Sequence, residues 1–139
     1  MLLGKTIHEI NIGDKAEYSR TVTETDVVMF GGISGDLNPA HFNEEYSKDT
    51  FFKGRIAHGM LTAGYISTVL GMQLPGPGTI YLSQELQFTA PVRFGDTITA
   101  TVEALEKNIE KNKVTFETIC KNQHDVVVLK GKAIVKPRK

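Results

Sequence analysis

The stretch SGDLNPAHFN, residues 34–43, sets an aspartate, an asparagine, a proline and a histidine within ten positions. Asp36 and His41 are the pair with chemical potential. A carboxylate accepts a proton, and an imidazole, with a free pKa of about 6.5, accepts or donates one. Between them such a pair can hold one water molecule and take or return its proton. On a continuous helix, residues five positions apart are turned about 140° from each other and share no face. Pro39 breaks that continuity, because Asn38 ahead of it is pushed out of the helical region. The expectation is a helix ending near Gly35, a turn over residues 36–39, and two side chains brought together by the loop. The same residues also suit a plain turn. Asp36 and Asn38 can close Asx turns on their own backbone, and a histidine in a loop is commonly solvated. Residue types alone leave both readings open.

A second stretch, RIAHGML at residues 55–61, puts His58 and Gly59 at the start of a long apolar segment. A helix N-terminus presents unpaired N–H groups and positive partial charge. Glycine there lets a ligand oxygen approach the backbone closely. Such donors suit negative charge developing on a carbonyl oxygen. The plainer account is that Gly59 permits tight helix–sheet packing and His58 caps the helix.

These residues need elements to position them. Residues 57–72, AHGMLTAGYISTVLGM, form the longest helical candidate, apolar around most of its circumference, as in a helix surrounded by protein. Met60, Leu61, Tyr65, Ile66, Val69, Met72 and Leu74 are expected chiefly in the core. Small residues at Ala57, Ala63, Gly64, Ser67 and Gly71 allow close backbone approach or leave room for a ligand. Thr25 and Asp26 are expected to cap a helix over residues 27–35, and a further short helix is expected at residues 41–47. After PGPG at residues 75–78 the period changes to two. Leu82, Gln84, Leu86 and Phe88 share a face. Ile98, Ala100, Val102 and Ala104 alternate with Thr97, Thr99, Thr101 and Glu103. Val114 and Phe116 lead a third set, and Val127, Leu129, Ala133 and Val135 a fourth. An N-terminal strand, two short helices, a long buried helix and four long strands make an α+β class chain. The architecture expected is an antiparallel β-sheet wrapped around a long central α-helix, the hotdog arrangement. Its edge strand commonly pairs with a second copy, so a homodimer is expected.

Composition narrows the function. The 139 residues fit a single domain, 1–139. Sixteen Lys and Arg balance sixteen Asp and Glu, so the chain carries no electrostatic footprint for nucleic acid. Cys120 is the one cysteine, which excludes an internal disulfide and suits a reducing, cytoplasmic compartment. The first residues, MLLGKTIHE, lack the apolar run of a secretory signal. No charged residue lies between Arg55 and Glu85, yet His58, Thr62, Ser67, Thr68 and Gln73 interrupt that segment. It is therefore read as a buried helix and not a membrane span.

The SGDLNPAH loop, followed about seventeen residues later by AHGML, resembles the hydratase-2 motif of MaoC-like proteins, the (R)-specific enoyl-CoA hydratases. The likeness continues through residues 70–103 and covers most of the domain. The resemblance implies a hotdog fold, a homodimer and a role in fatty acid metabolism. It implies reversible syn hydration of a trans-2-enoyl thioester to an (R)-3-hydroxyacyl thioester, with an acyl thioester as substrate, no metal and no further cofactor. The family's catalytic pair falls on Asp36 and His41, its carbonyl-binding amide on Gly59, its loop asparagine on Asn38 and a helix serine near the site on Ser67. The length resembles that of the short bacterial enzymes.

Other residues are assigned structural roles. Cys120 reads as a small buried hydrophobe, and His8 and His124 as surface residues. A metal site of Asp36, His41 and His58 matches no helical ligand spacing. PGPG lacks the Lys-Ser/Thr of a phosphate loop. Lys48, Lys53, Arg55 and Arg93 read as scattered surface charge. Two alternatives to the hydratase stay open: a 3-hydroxyacyl-[acyl-carrier-protein] dehydratase, and a non-catalytic acyl-CoA-binding module, which would need neither Asp36 nor His41.

Overall fold

The computed structural model describes residues 2–139. After a short 3-10 helix at Ile7–Glu9 come β1 (Lys15–Thr21), α1 (Glu24–Ser34), α2 (Pro39–Phe42), α3 (Glu44–Ser47) and α4 (Gly59–Met72). Then follow β2 (Ile80–Gln84), β3 (Gln87–Phe88), β4 (Thr97–Asn108), β5 (Lys113–Lys121) and β6 (Val127–Lys136). The antiparallel sheet has the order β1-β4-β5-β6-β2, with β3 also paired to β6. Period-two alternation decides which face turns inward. Ile98, Ala100, Val102 and Ala104 of β4 are buried, as are Val114, Phe116, Thr118 and Cys120 of β5. Tyr65, Ile66, Val69 and Leu70 of α4 pack on that face, so the sheet wraps the helix as expected. No helix among the described residues is long and apolar enough to cross a membrane.

α1 begins three residues earlier than expected. Thr23, not Thr25, is the N-cap: its Oγ1 accepts from the Asp26 N–H at 3.1 Å, and Asp26 accepts from the Thr23 N–H at 3.0 Å. A reciprocal cap of this kind is worth about 0.5–2 kcal/mol. The helix stops at Gly35, whose φ of 79° is a left-handed conformation that glycine adopts without strain. The short helix expected over residues 41–47 is two helices, because the Asn43 side chain accepts from the Tyr46 N–H and starts α3 afresh.

Three further expectations change. Residues 82–88 do not form one strand. The chain breaks between β2 and β3 where the Glu85 carbonyl oxygen presses on Gly131, so close that a Cβ there would lie 1.7 Å away. In β6 a register shift turns Val128 into the core where Val127 was expected. Finally, α4 is not enclosed on all sides: Met60 and Met72 are 55% and 69% exposed, and Gly64, Ser67 and Gly71 lie on the same open side.

Candidate active site

The loop after α1 is built from side-chain to backbone bonds. The Asp36 N–H donates to Ser34 Oγ at 3.1 Å, and the Asn38 N–H donates to Asp36 Oδ1 at 3.2 Å. The Ala40 N–H donates to Asn38 Oδ1 at 3.0 Å, which caps α2 with Pro39 in its first turn. Both Asx turns therefore form. They use one carboxylate oxygen of Asp36; Oδ2 makes no hydrogen bond among the described residues. Asn38 commits its side-chain oxygen to the turn.

His41 is held from the opposite side. Its Nδ1–H donates to the Ile56 carbonyl at 2.7 Å, since a carbonyl only accepts. That leaves Nε2 as the nitrogen with a free lone pair. The backbone is clamped as well: Ile56 N–H donates to the Ala40 carbonyl at 3.2 Å, and Arg55 Nε donates to the His41 carbonyl at 2.9 Å. Arg55 also pairs with Glu24 at 2.6 Å and lies over the Phe94 ring at 4.8 Å. It is thus a scaffold residue rather than scattered surface charge. Arg93 is similar, donating to the Phe52 and Gly54 carbonyls.

Asp36, His41 and His58 each bring a carboxylate oxygen or ring nitrogen to within 4.8 Å of the others. Two hydrogen bonds of about 2.8 Å from one water span a gap of that order. The pair singled out by spacing therefore lies close enough for one water to reach both. On the plainer account His58 caps α4. It makes no side-chain cap bond; its Nε2–H donates to the Asp36 carbonyl at 2.9 Å, and its ring lies 3.9 Å from that of His41. Among the described residues these three side chains are the set close enough together to hold a metal ion, and Nδ1 of His41 and Nε2 of His58 are already bonded to carbonyls.

His41 opens onto a cavity of about 420 Å³ whose other walls include Gly59, Met60, Thr62, Phe88 and Val128. The lining is mostly apolar, as suits an acyl chain more than a charged metabolite. Gly59 is the first residue of α4, so its N–H has no acceptor within the helix. A Cβ at position 59 would lie 2.5 Å from two ring carbons of Phe88, so glycine is needed for the wall to close. Asp36 is exposed and does not line this cavity. Ser67 is elsewhere: with Ala63, Gly64, Tyr81 and Leu82 it lines a second cavity of about 350 Å³, and Met60 borders both. The structure brings Asp36 close to His41, sets His41 and Gly59 on one cavity, and leaves Ser67 on the other. Beneath Thr62, the Cys120 thiol faces the Thr62 carbonyl at 3.7 Å, and burial pushes its pKa up to about 12. It stays protonated and apart from the chemistry.

Comparison with known proteins shows what the chain as a whole is similar to. The family described as MaoC like domain matches residues 8–126. An (R)-specific enoyl-CoA hydratase of Rhodospirillum rubrum is 53% identical over 127 residues, covering 91% of this chain and 88% of that protein. A 3-hydroxybutyryl-CoA dehydratase of Methylorubrum extorquens is 44% identical, covering 94% and 83%. The unliganded R-hydratase of Pseudomonas aeruginosa superposes with a TM-score of 0.92 at 43% identity, covering 98% of this chain and 87% of that one.

Proposed function

The chain belongs to the MaoC-like domain family, and from that premise we propose that it is an (R)-specific enoyl-CoA hydratase. It is a hydro-lyase: it adds water across a trans-2-enoyl thioester to give the (R)-3-hydroxyacyl thioester, and runs the same step backwards as a dehydratase. The observation that carries the reading is the approach of Asp36 and His41 to within 4.8 Å, beside an apolar cavity that begins at the N-terminus of α4.

The chemistry follows from the groups. The thioester carbonyl draws electrons from C3. A water held between Asp36 and His41 adds there while the pair takes its proton. Nε2 of His41 is able to accept because Nδ1–H is committed to Ile56. A proton then reaches C2 from the same face, which makes the addition syn. Charge passing through the thioester oxygen meets the Gly59 N–H and the positive end of α4. General acid–base action is worth about 10²–10⁴-fold and an oxyanion donor about 10²–10³-fold. Hydration changes no oxidation balance, so the step calls for no redox cofactor.

The proposal includes a homodimer. β1 forms one sheet edge, and β2 with the two-residue β3 forms the other. β1 carries Lys15, Glu17 and Arg20, the usual protection against edge pairing, whereas β2 exposes Ile80, Tyr81 and Leu82. Val28, Met29 and Ile33 of α1 add exposed apolar surface. A two-fold pairing of identical chains would cover these groups symmetrically. Asn38 is assigned to shaping the loop, and Ser67 to the surface along α4 that the second cavity opens. A reducing cytoplasm and fatty acid metabolism are the setting proposed.

The test is loss of enoyl-thioester absorbance on crotonyl-, hexenoyl- and longer enoyl-CoA, with product stereochemistry and sedimentation measured on the same sample. Asp36→Asn and His41→Ala should each lose at least about 10²-fold in turnover while staying folded. An (S) product, or either variant turning over near the wild-type rate, would refute the assignment.

A further inference from the structure

We propose that His58 is a positioning residue, tying the backbone of Asp36 to the ring of His41 and to the first turn of α4. This rests on the hydratase reading above.

The bond from His58 Nε2 to the Asp36 carbonyl, 2.9 Å, joins residues 22 positions apart. Because the carbonyl only accepts, the ring carries its proton on Nε2. Nδ1 is then bare, and it is buried with no hydrogen-bond partner among the described residues. His58 as a whole is 2% exposed. Leaving a buried nitrogen unpaired costs about 1–3 kcal/mol, so packing alone would be better served by a hydrocarbon ring at this position. A phenyl ring, however, has no donor for Asp36.

The tie is the loop's anchor. Among the described residues Asp36 is otherwise bonded only to its neighbours Ser34 and Asn38. Those bonds shape the turn but fix it to nothing else. Among the described residues, the His58 bond is the one hydrogen bond from residues 34–38 to any residue outside residues 30–41. The same ring stacks 3.9 Å from His41 at 30°, lies 4.8 Å from Phe30 and meets Phe42 edge-on at 5.8 Å. Its backbone runs directly into Gly59. One side chain therefore sets the distance from the carboxylate to the imidazole, and both relative to the amide at the start of α4. His58 does not line the apolar cavity, so it acts through these groups and not on substrate. Misplacing a reacting group by about 1 Å is enough for a 10²-fold loss in rate.

Two substitutions separate the tie from packing. His58→Phe keeps an aromatic ring and removes the donor; His58→Gln returns an N–H at the reach of Nε2. The Phe variant should fall about 30–100-fold in kcat on crotonyl-CoA with KM changed less than about threefold, and the Gln variant should recover at least about tenfold of that loss. Amides of residues 36–38 should exchange hydrogen about tenfold faster in the Phe variant, with a Tm close to wild type. A Phe variant within about threefold of wild-type kcat, or Gln and Phe variants falling equally in step with their Tm, would overturn the tie. One readout is independent of turnover. Long-range ¹H–¹⁵N spectra of the wild-type protein at about pH 8, above the ordinary imidazole range, should show His58 with its proton on Nε2. A proton on Nδ1 would overturn the proposal. Wild-type protein inert to every enoyl thioester would overturn the hydratase reading instead, and the spectra and exchange rates would still decide the tie.

Discussion

A methyl group at position 59 should remove most of the activity, and the structure gives the size of the disturbance. An ideal Cβ on Gly59 would sit 2.5 Å from Cδ1 and Cε1 of Phe88. Carbon atoms settle at about 3.5–4.0 Å, so the ring and the first turn of α4 must part by roughly 1–1.5 Å. Phe88 is on the two-residue β3, held opposite Leu129, and its ring is half exposed, so it can turn aside. In doing so it moves the wall that it shares with His41 and Gly59. Either relief shifts the position-59 amide or the substrate by about 1 Å, which corresponds to a loss of about 10²-fold in kcat/KM. That is near the whole worth of an oxyanion donor. Overpacking should also cost about 1–3 kcal/mol of stability. Gly71→Ala in the same helix is the control. A Cβ there meets nothing within 4 Å, so relief of glycine's helix penalty, about 0.8–1.0 kcal/mol, should raise Tm by a few degrees and leave the rate alone. The assay is enoyl-CoA hydration alongside thermal melting. Adding Phe88→Ala to Gly59→Ala should return at least about tenfold over the single variant, measured as a double-mutant cycle. A Gly59→Ala enzyme within threefold of wild type, or a double variant no faster than the single, would refute the argument from the clash.

Two other expectations concern the frame around the site. With its thiol pushed up to about 12 by burial, Cys120 should resist an aromatic disulfide reagent at pH 8 and react with one equivalent only after denaturation; rapid labelling of native protein would show that β5 and α4 do not seal it. The hydrogen bond from Arg20 holds the Asp26 carboxyl below its ordinary range against the opposing effect of burial, with the Thr23 N–H helping. A depressed carboxyl contributes stability that is present above the unfolded value of about 3.9 and is lost as pH falls through the lower folded value. Arg20→Met should therefore lower Tm at pH 7, and the gap to wild type should close below about pH 4. A gap that widens in acid would contradict the pairing.

Much of this arrangement is legible in the sequence because its causes are local. Gly35 ends a helix, Pro39 forbids one from running through Asn38, and alternation at Ile98, Ala100, Val102 and Ala104 dictates a strand with one buried face. The cap was misplaced because Thr23 and Thr25 both stand ahead of the apolar run; only the three-residue spacing from Thr23 to Asp26 makes the bonds reciprocal, and that spacing was there to be read. What stayed hidden depends on distant residues. The break between β2 and β3 falls where Glu85 comes against Gly131, in a different strand, whose lack of a Cβ permits the approach. The partner of His58 is a backbone carbonyl, and no residue type announces which carbonyl will be reached. Apolar patterning marked Met60 and Met72 for burial but does not say whether the cover comes from the same chain.

The turn reading and the chemical reading of SGDLNPAH turn out not to compete. The Asx turn uses Oδ1 of Asp36, and that bond orients the carboxylate so that its second oxygen is left for solvent. What the loop does not provide is shelter. Asp36 is exposed in the single chain, beside Leu37 and Ile33, which are 66% and 82% exposed. A carboxylate and an imidazole sharing a water in bulk solvent act in a medium of high dielectric, where their field on a reacting thioester is strongly screened. The same pair acts more strongly once water is excluded. Ile33, one of the apolar groups that a second copy would cover, and the exposed Leu37 thus stand close in the chain to the group that most needs covering. In the proposed homodimer, association of two chains would belong to the catalytic apparatus, supplying the low-dielectric wall that Gly35, Asp36 and Leu37 lack in the single chain.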